Sequence, residues 1–172
     1  MQNNNLNIAI IGASGALGGE FVRQLAQNDS TKSIYAFSRS NVEFNSSKVE
    51  SHPIDIENED SIKSASEIAS KDTKIDMVIV ATGILHDKGL MPEKSIKELS
   101  VDKFQKIFLT NTIGPALIAK YFLPLLNKEE RSIFTAISAR VSSISDNRLG
   151  GWHSYRASKA ALNMILKNVA IE

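Results

Sequence analysis

The sequence predicts an α/β protein in which one doubly wound, parallel β-sheet carries helices on both faces. Two observations support this fold class. Short, β-branched apolar runs alternate along the 172 residues with longer segments of helical periodicity. The first apolar run also ends in a glycine-rich turn that leads into a helical segment. We expect about six strands in a single domain that spans residues 1–172.

The composition is that of a globular protein and excludes several classes of function. Hydrophobic residues make up 42% of the chain and the formal net charge is +1, so we expect no nucleic-acid partner. No apolar run approaches the ~20 residues of a membrane helix, and no signal peptide is recognisable, so we expect a cytoplasmic protein without a membrane partner. Zero cysteines and three scattered histidines argue against thiol chemistry and a metal site.

The first strand and the turn after it carry the first functional signal. Residues 7–11 are typical of a strand buried on both faces, and residues 20–27 have a helical pattern. Gly12 would permit a tight turn. Gly15 would let the main chain approach a pyrophosphate closely, and Gly18 would let the helix pack closely on the strand. With helix amides directed at the phosphates, we favour a Rossmann-like dinucleotide site over a plain flexible turn.

The second and third strands end in candidate cofactor ligands. Arg39 directly follows the strand expected at residues 33–38. An arginine there suits the 2′-phosphate of NADP, whereas NAD sites use an acidic residue, so we favour NADP and keep NAD as the alternative. After a third strand, Asp55 would bond the adenine amino group and Ile56 would pack on its ring. The alternative is helix capping, for which Asn58 and Asp60 are equally suited.

The fourth strand, residues 76–81, is followed by Gly83, where a glycine lets the main chain lie close to a bound cofactor. Residues 84–100 leave the carboxyl end of this strand and should lie on the ligand side of the sheet. His86 and Asp87 would line the mouth of a site there, but we expect a solvated loop.

A long helical pattern then covers residues 101–126, with Asn111 inside it as a satisfied polar residue or a kink. A fifth strand is expected at residues 132–138. In the last helix, Tyr155 and Lys159 lie one turn apart on one face. An ammonium beside the phenol favours the phenolate and would bring the tyrosine pKa from ~10 towards neutrality. Alone, the pair is a weak signal and fits a surface helix better.

Together these motifs resemble the short-chain dehydrogenase/reductase family over essentially the whole chain. Segments 111–115, 145–152 and 155–164 resemble its C-factor-like branch, which is named for a bacterial cell-contact signalling protein and is similar to small carbonyl reductases. The resemblance implies hydride transfer between a nicotinamide and a small carbonyl or alcohol substrate. The implied cofactor-binding residues are Gly12, Ser14, Gly15, Leu17, Gly18, Arg39, Asp55, Ile56, Ala81, Thr82, Gly83 and Lys159.

The resemblance also implies the catalytic roles. Tyr155 would donate or accept the substrate proton, and Lys159 would favour its phenolate and hold the nicotinamide ribose. Asn111 would hold a water in a proton relay. A serine after the fifth strand would bond the substrate oxygen, and we choose Ser138. A homodimer or homotetramer is implied as well.

Several departures from the family pattern leave alternatives open. The family's usual serine position is occupied here by Ala139, so Ser138, Ser142, Ser143 or no serine serves. Ala16 replaces the middle glycine of the common loop pattern. The family normally continues beyond the last helix with a substrate segment, which we expect to be absent from residues 1–172. The competing functions are a catalytically weak nucleotide-binding signalling protein and an α/β protein without cofactor.

Overall fold

The computed structural model describes residues 5–71 and 74–172, in which strands and helices alternate as expected. The strands are β1 Leu6–Ile11, β2 Thr31–Ser38, β3 Val49–Pro53, β4 Met77–Val80 and β5 Ile133–Ala136. The helices are α1 Ala16–Ala26, α2 Glu59–Ala69, α3 Val101–Phe108, α4 Gly114–Phe122 and α5 His153–Val169. Short 3₁₀ turns occupy Ile96–Glu98, Leu123–Leu125 and Arg140–Ser142.

The chain forms two compact units. The first contains the described residues up to Thr82 together with Leu117–Ile137, and therefore the whole sheet with α1 and α2. The second contains Gly83–Ala116 and Ser138–Glu172, and therefore α3 and α5. Nowhere in residues 5–71 and 74–172 is there a helix both long and apolar enough to span a bilayer.

The sheet of the first unit is fully parallel and has the order β3-β2-β1-β4-β5. At its centre, Ile10 of β1 lies between Ala36 of β2 and Ile79 of β4. The parallel, doubly wound fold is thus confirmed. The expected count of about six strands was slightly too high, because the sheet of the described chain has five strands. The strand order reverses between β1 and β4, which is where such sheets bind ligands.

Two apolar layers cover the two faces of the sheet. One layer joins alternate residues of β1 and β2 to α1, and includes Ile8, Ile10, Ile34, Ala36 and Val22. The other joins the intervening residues to α2 and α4, and includes Ala9, Ile11, Phe37, Ile62 and Phe122. Since successive side chains of a strand point to opposite faces, burial on both sides explains why β1 is continuously apolar.

The starts of two helices bear on the sequence expectations. Helix α1 starts earlier than expected, and α2 uses one of its two candidate caps. Helix α1 begins at Ala16 instead of residue 20, so Gly18 and Gly19 lie within its first turn. The apolar periodicity begins only after these glycines, which hides the true start. Of the two candidate caps of α2, the structure selects Asn58, whose Oδ1 accepts the Ser61 amide at 3.1 Å.

Candidate active site

The glycine-rich turn is held by main-chain contacts that leave no room for side chains. Gly12 has φ +94°, and a Cβ there would lie 3.0 Å from the Ala81 carbonyl carbon and oxygen. A Cβ on Gly18 would lie 2.1 Å from the Gly12 oxygen, so the start of α1 is as close to the turn as the main chain allows. Gly15 is the N-cap of α1 and supplies no capping side chain. The first amides of α1 therefore suit an anionic group.

The outer surface of this turn is accessible. Residues 14–17 are all exposed, and they include the expected cofactor ligands Ser14 and Leu17. Next to the turn, at the carboxyl end of β4, the Thr82 hydroxyl is buried and has no hydrogen-bond partner within residues 5–71 and 74–172. Buried hydroxyls normally have a hydrogen-bond partner, and a bound polar group here would supply the one that Thr82 lacks. The glycine cradle and this hydroxyl fit a dinucleotide.

The ends of β2 and β3 place the other expected cofactor ligands. Arg39 is exposed directly after β2, and no ion pair joins it to any residue of the described ranges. Asp55 is also exposed, but its Oδ1 already accepts the Glu57 amide at 3.0 Å. Ile56 is only 7% exposed and packs in the apolar layer under α2. Most of its side chain is therefore in the core, which leaves a small area for contact with a ring.

In the second unit, Asn111 lies in a turn of π-helix, Leu109–Ile113, between α3 and α4. Asn111 is completely buried. Its Oδ1 accepts the Ile84 amide at 2.8 Å, and its Nδ2 donates to the Ile84 oxygen at 2.9 Å and to the Ser158 hydroxyl at 3.2 Å. Asn111 thus ties the segment after β4 to α5. Isolated π turns are frequent at functional sites.

Helix α5 presents Lys159 to the same place. Its side chain is 3% exposed, and its Nζ lies 3.1 Å from where a Cβ on Gly83 would be. The Asn111 Oδ1 lies 3.4 Å from the same point. Gly83 therefore makes room for an ammonium and an amide side by side. Tyr155 is half-buried, and its ring meets the Trp152 ring edge-on, with centroids 6.3 Å apart.

Burial dominates the ionisation of both groups. It raises the pKa of Tyr155 above its ordinary value and lowers the pKa of Lys159 below its own. The expected lowering of the Tyr155 pKa by the lysine is therefore not found. The pattern of a tyrosine one turn before a lysine does not reveal how much of each group is withdrawn from water.

The serines after β5 have partners of their own. Strand β5 ends at Ala136, so Ser138 lies beyond the regular strand. The Ser138 hydroxyl donates to Asn163 Oδ1 at 2.7 Å, and Asn163 Nδ2 donates to the Ser142 hydroxyl at 2.7 Å. Ser143 lies with its oxygen 3.4 Å from that of Ser145. Asn163 was missed from the sequence, although it lies one helical turn beyond Lys159.

The connection of residues 84–100 is mostly exposed, which agrees with the solvated loop that the sequence suggests. His86 and Asp87 are exposed, as expected of a loop, but Glu93 is completely buried. Its main-chain oxygen accepts the Trp152 amide, and its Oε2 accepts the Ser154 amide at 3.3 Å. Within the described ranges, no group of three or more acidic or histidine side chains could hold a metal ion.

Comparison with known proteins gives the family. The model of the short chain dehydrogenase family matches residues 6–172. A 1-hydroxy-2-glutathionyl-2-methyl-3-butene dehydrogenase of Rhodococcus sp. (strain AD45) is 33% identical over 113 residues, or 65% of this chain and 46% of that protein. The C-signal of Myxococcus xanthus is 31% identical over 67 residues, or 39% of this chain and 40% of that protein.

Among solved structures, the NADPH-bound carbonyl reductase from chicken fatty liver superimposes with a TM-score of 0.82 at 24% identity, over 96% of this chain and 70% of that one. The matched parts of the chain span less than half of the length of the Rhodococcus dehydrogenase and of C-signal. Since the family match covers nearly every residue and the fold agrees, this protein belongs to the short chain dehydrogenase family.

Proposed function

We propose that the chain is an NADP-dependent oxidoreductase that interconverts carbonyl and alcohol groups of a small molecule. The observation that carries this proposal is the buried group formed by Asn111 and Lys159 beside Gly83, with Tyr155 one turn earlier on α5. When bound, the cofactor supplies or takes up the hydride. Residues 1–172 would act as one cofactor-binding domain.

The proton is the part of the reaction that this chain's own residues handle. In carbonyl reduction, Tyr155 donates its hydroxyl proton to the substrate oxygen. A tyrosine of ordinary pKa, ~10, is protonated at neutral pH, and burial raises the pKa of Tyr155 further, so its hydroxyl holds the proton that a donor requires. Alcohol oxidation needs the phenolate, so we expect that direction to be favoured at alkaline pH. Lys159 would hold the nicotinamide ribose, and Asn111 would hold a water of the proton relay.

The remaining roles concern binding. The turn with Gly12, Gly15 and Gly18 would hold the pyrophosphate, and Arg39 the 2′-phosphate that distinguishes NADP from NAD. The NADPH of the chicken carbonyl reductase supports this preference. We propose Ser138 as the serine that bonds the substrate oxygen, which requires its hydroxyl to exchange Asn163 for substrate.

A comparison of two tyrosine variants tests the proposal. NADPH oxidation is followed with a panel of aldehydes and ketones, and NADP reduction with a panel of alcohols that includes a glutathione-conjugated alcohol. Tyr155→Phe should lose at least ~100-fold in kcat. Tyr121→Phe is the matched control, because it removes a hydroxyl that bonds the surface carboxylate of Glu59. Equal turnover by Tyr155→Phe and the control would refute the catalytic role.

A second candidate is a nucleotide-binding signalling protein with little catalysis. It is favoured by the similarity to C-signal and by Ala139 at the family's serine position. It predicts that calorimetry detects NADPH binding while no substrate of either panel turns over. Robust turnover would reject it, and absence of binding by both NADPH and NADH would favour an α/β protein without cofactor.

We also propose that the protein is a homodimer or homotetramer. Apolar side chains of α3, the π turn and α5 are exposed and would be covered by a second copy; they are Val101, Ile113 and Met164. Light scattering on the purified protein measures the assembly directly, and a monomer at micromolar concentration would contradict it. A cytoplasmic location remains part of the proposal.

A further inference from the structure

Glu93 is the one acidic side chain among the described residues that is completely withdrawn from solvent. Glutamate is seldom buried unless it is paired, so its position needs a reason. Its partners lie far away in sequence, at the start of α5. The main-chain oxygen of Glu93 accepts the Trp152 amide at 2.5 Å, and Oε2 accepts the Ser154 amide at 3.3 Å.

The first turn of α5 depends on these contacts. Trp152 occupies the N-cap position and provides no capping side chain. A helix start leaves its first amides without internal partners, and Glu93 supplies acceptors to two of them. A carboxylate is also favoured by the positive end of the helix dipole. Burial opposes the charge, but hydrogen bonds from Ser154 and the attraction of Lys103 outweigh it and hold the pKa of Glu93 below its usual value.

The turn before α5 has an unfavourable main-chain conformation, which contacts from outside the turn stabilise. Gly150, Gly151 and Trp152 all have positive φ, at 64°, 66° and 51°. A left-handed conformation costs a residue with a side chain ~1–2 kcal/mol, and tryptophan has no local compensation for it. A Cβ on Gly151 would lie 3.3 Å from the Glu93 oxygen, so the turn passes directly over Glu93.

The same contacts lead to the proposed proton donor. The Trp152 ring meets the Tyr155 ring edge-on at 81°, a favourable arrangement of two aromatic side chains. Glu93 therefore fixes the main chain of the residue whose ring packs on Tyr155. Because these contacts of Glu93 are with the start of α5, its effect on the reaction would pass through α5.

We propose that Glu93 is a positioning residue that holds the first turn of α5 and, through Trp152, sets the orientation of Tyr155. This inference rests on the proposed role of Tyr155 as proton donor. The role of Tyr155 then also depends on a residue outside α5. Without the acceptors that Glu93 supplies, the start of α5 would loosen and the Tyr155 ring would move.

The test compares Glu93→Ala, Glu93→Gln and Glu98→Gln in the full chain. Alanine removes the side-chain acceptor, whereas glutamine keeps an acceptor oxygen of similar shape without the charge. Glu98 is a control from the same connection, because its carboxylate lies on the surface and accepts the Lys94 amide. The readouts are kcat and KM for NADPH, amide hydrogen exchange of residues 152–156, and fluorescence quenching of Trp152, the only tryptophan in the chain.

Glu93→Ala should speed exchange of the Ser154 amide ~10-fold, as expected for a lost helix cap. It should make Trp152 more accessible to quencher and lower kcat ~10-fold with little change in KM for NADPH. Glu93→Gln should keep most of the wild-type exchange rate, quenching and kcat, and Glu98→Gln should change none of them. If the alanine variant does not fold, Glu93→Gln alone decides. Its kcat should then lie between that of the wild type and zero, and its Trp152 should be more accessible to quencher than in the wild type.

Unchanged exchange and quenching in Glu93→Ala and Glu93→Gln would overturn the proposal, and so would an unchanged kcat. A kcat loss with unaltered Trp152 fluorescence would overturn it too, because the effect would then not pass through the helix start. Absence of turnover in the unsubstituted chain would contradict the proposed function instead. The exchange and fluorescence results would still decide whether Glu93 holds the start of α5.

Discussion

Replacement of Asn111 by alanine is the sharpest test of how the second unit is held together. The side chain is completely buried and makes three hydrogen bonds, two to the main chain of Ile84 and one to the hydroxyl of Ser158. Three bonds contribute about 3 kcal/mol net, and the unpaired Ile84 groups add about 1 kcal/mol. The higher helix propensity of alanine returns about 0.5 kcal/mol.

Asn111→Ala should therefore lower the free energy of unfolding by about 3.5 kcal/mol and Tm by about 10 °C. Urea unfolding and calorimetry at pH 7 measure both quantities. Asn147→Ala is a suitable control, since Asn147 is exposed and accepts a single main-chain amide, that of Gly150. The control should lose less than about 1 kcal/mol. A loss that small in Asn111→Ala itself would refute the assignment of Asn111 as the tie between α5 and the segment after β4.

Three further predictions concern other parts of the molecule. Gly18→Ala places a Cβ 2.1 Å from the Gly12 oxygen and should weaken NADPH binding more than ~10-fold by calorimetry; unchanged binding would contradict the packing argument. Arg39→Asp should raise the Kd for NADPH ~10-fold relative to NADH, and an unchanged ratio would exclude Arg39 as the selector. Because the Glu93 pKa lies below its unfolded value of 4.5, its stabilisation is present above that pH and lost as the pH falls through the folded pKa. Urea unfolding between pH 7 and acid should therefore show a shallower loss in Glu93→Gln, and parallel curves would contradict this.

The sequence is most informative where structure depends on local pattern. The continuous apolar runs at residues 7–11 and 76–81 predicted buried parallel strands, because such strands are covered on both faces. The spacing of glycines after β1 predicted the tight turn, since only glycine fits where a Cβ would meet Ala81. Asn111 was expected as a kink or a satisfied polar residue, and its hydrogen bonds show the satisfied polar residue, within a turn of π-helix.

Features that depend on distant contacts were out of reach. Glu93 sits in a polar segment, and nothing local shows that its carboxylate meets amides 61 residues away. The partner of Ser138 is Asn163, which belongs to another element. The Tyr155 pKa follows from burial, and burial is a property of the packed molecule. The expected number of strands, about six, exceeded the five that the described residues form.

The two edges of the sheet differ in their tendency to associate with other chains. The β3 edge carries Glu50, His52 and Pro53, whose charge and missing amide discourage further pairing. The β5 edge has the sequence IFTA, without charge or proline, and Ile133 is exposed on it. An additional strand would extend the sheet on this side alone. During overexpression, the β5 edge is accordingly where aggregation would begin, and a lysine in place of Ile133 is the natural remedy.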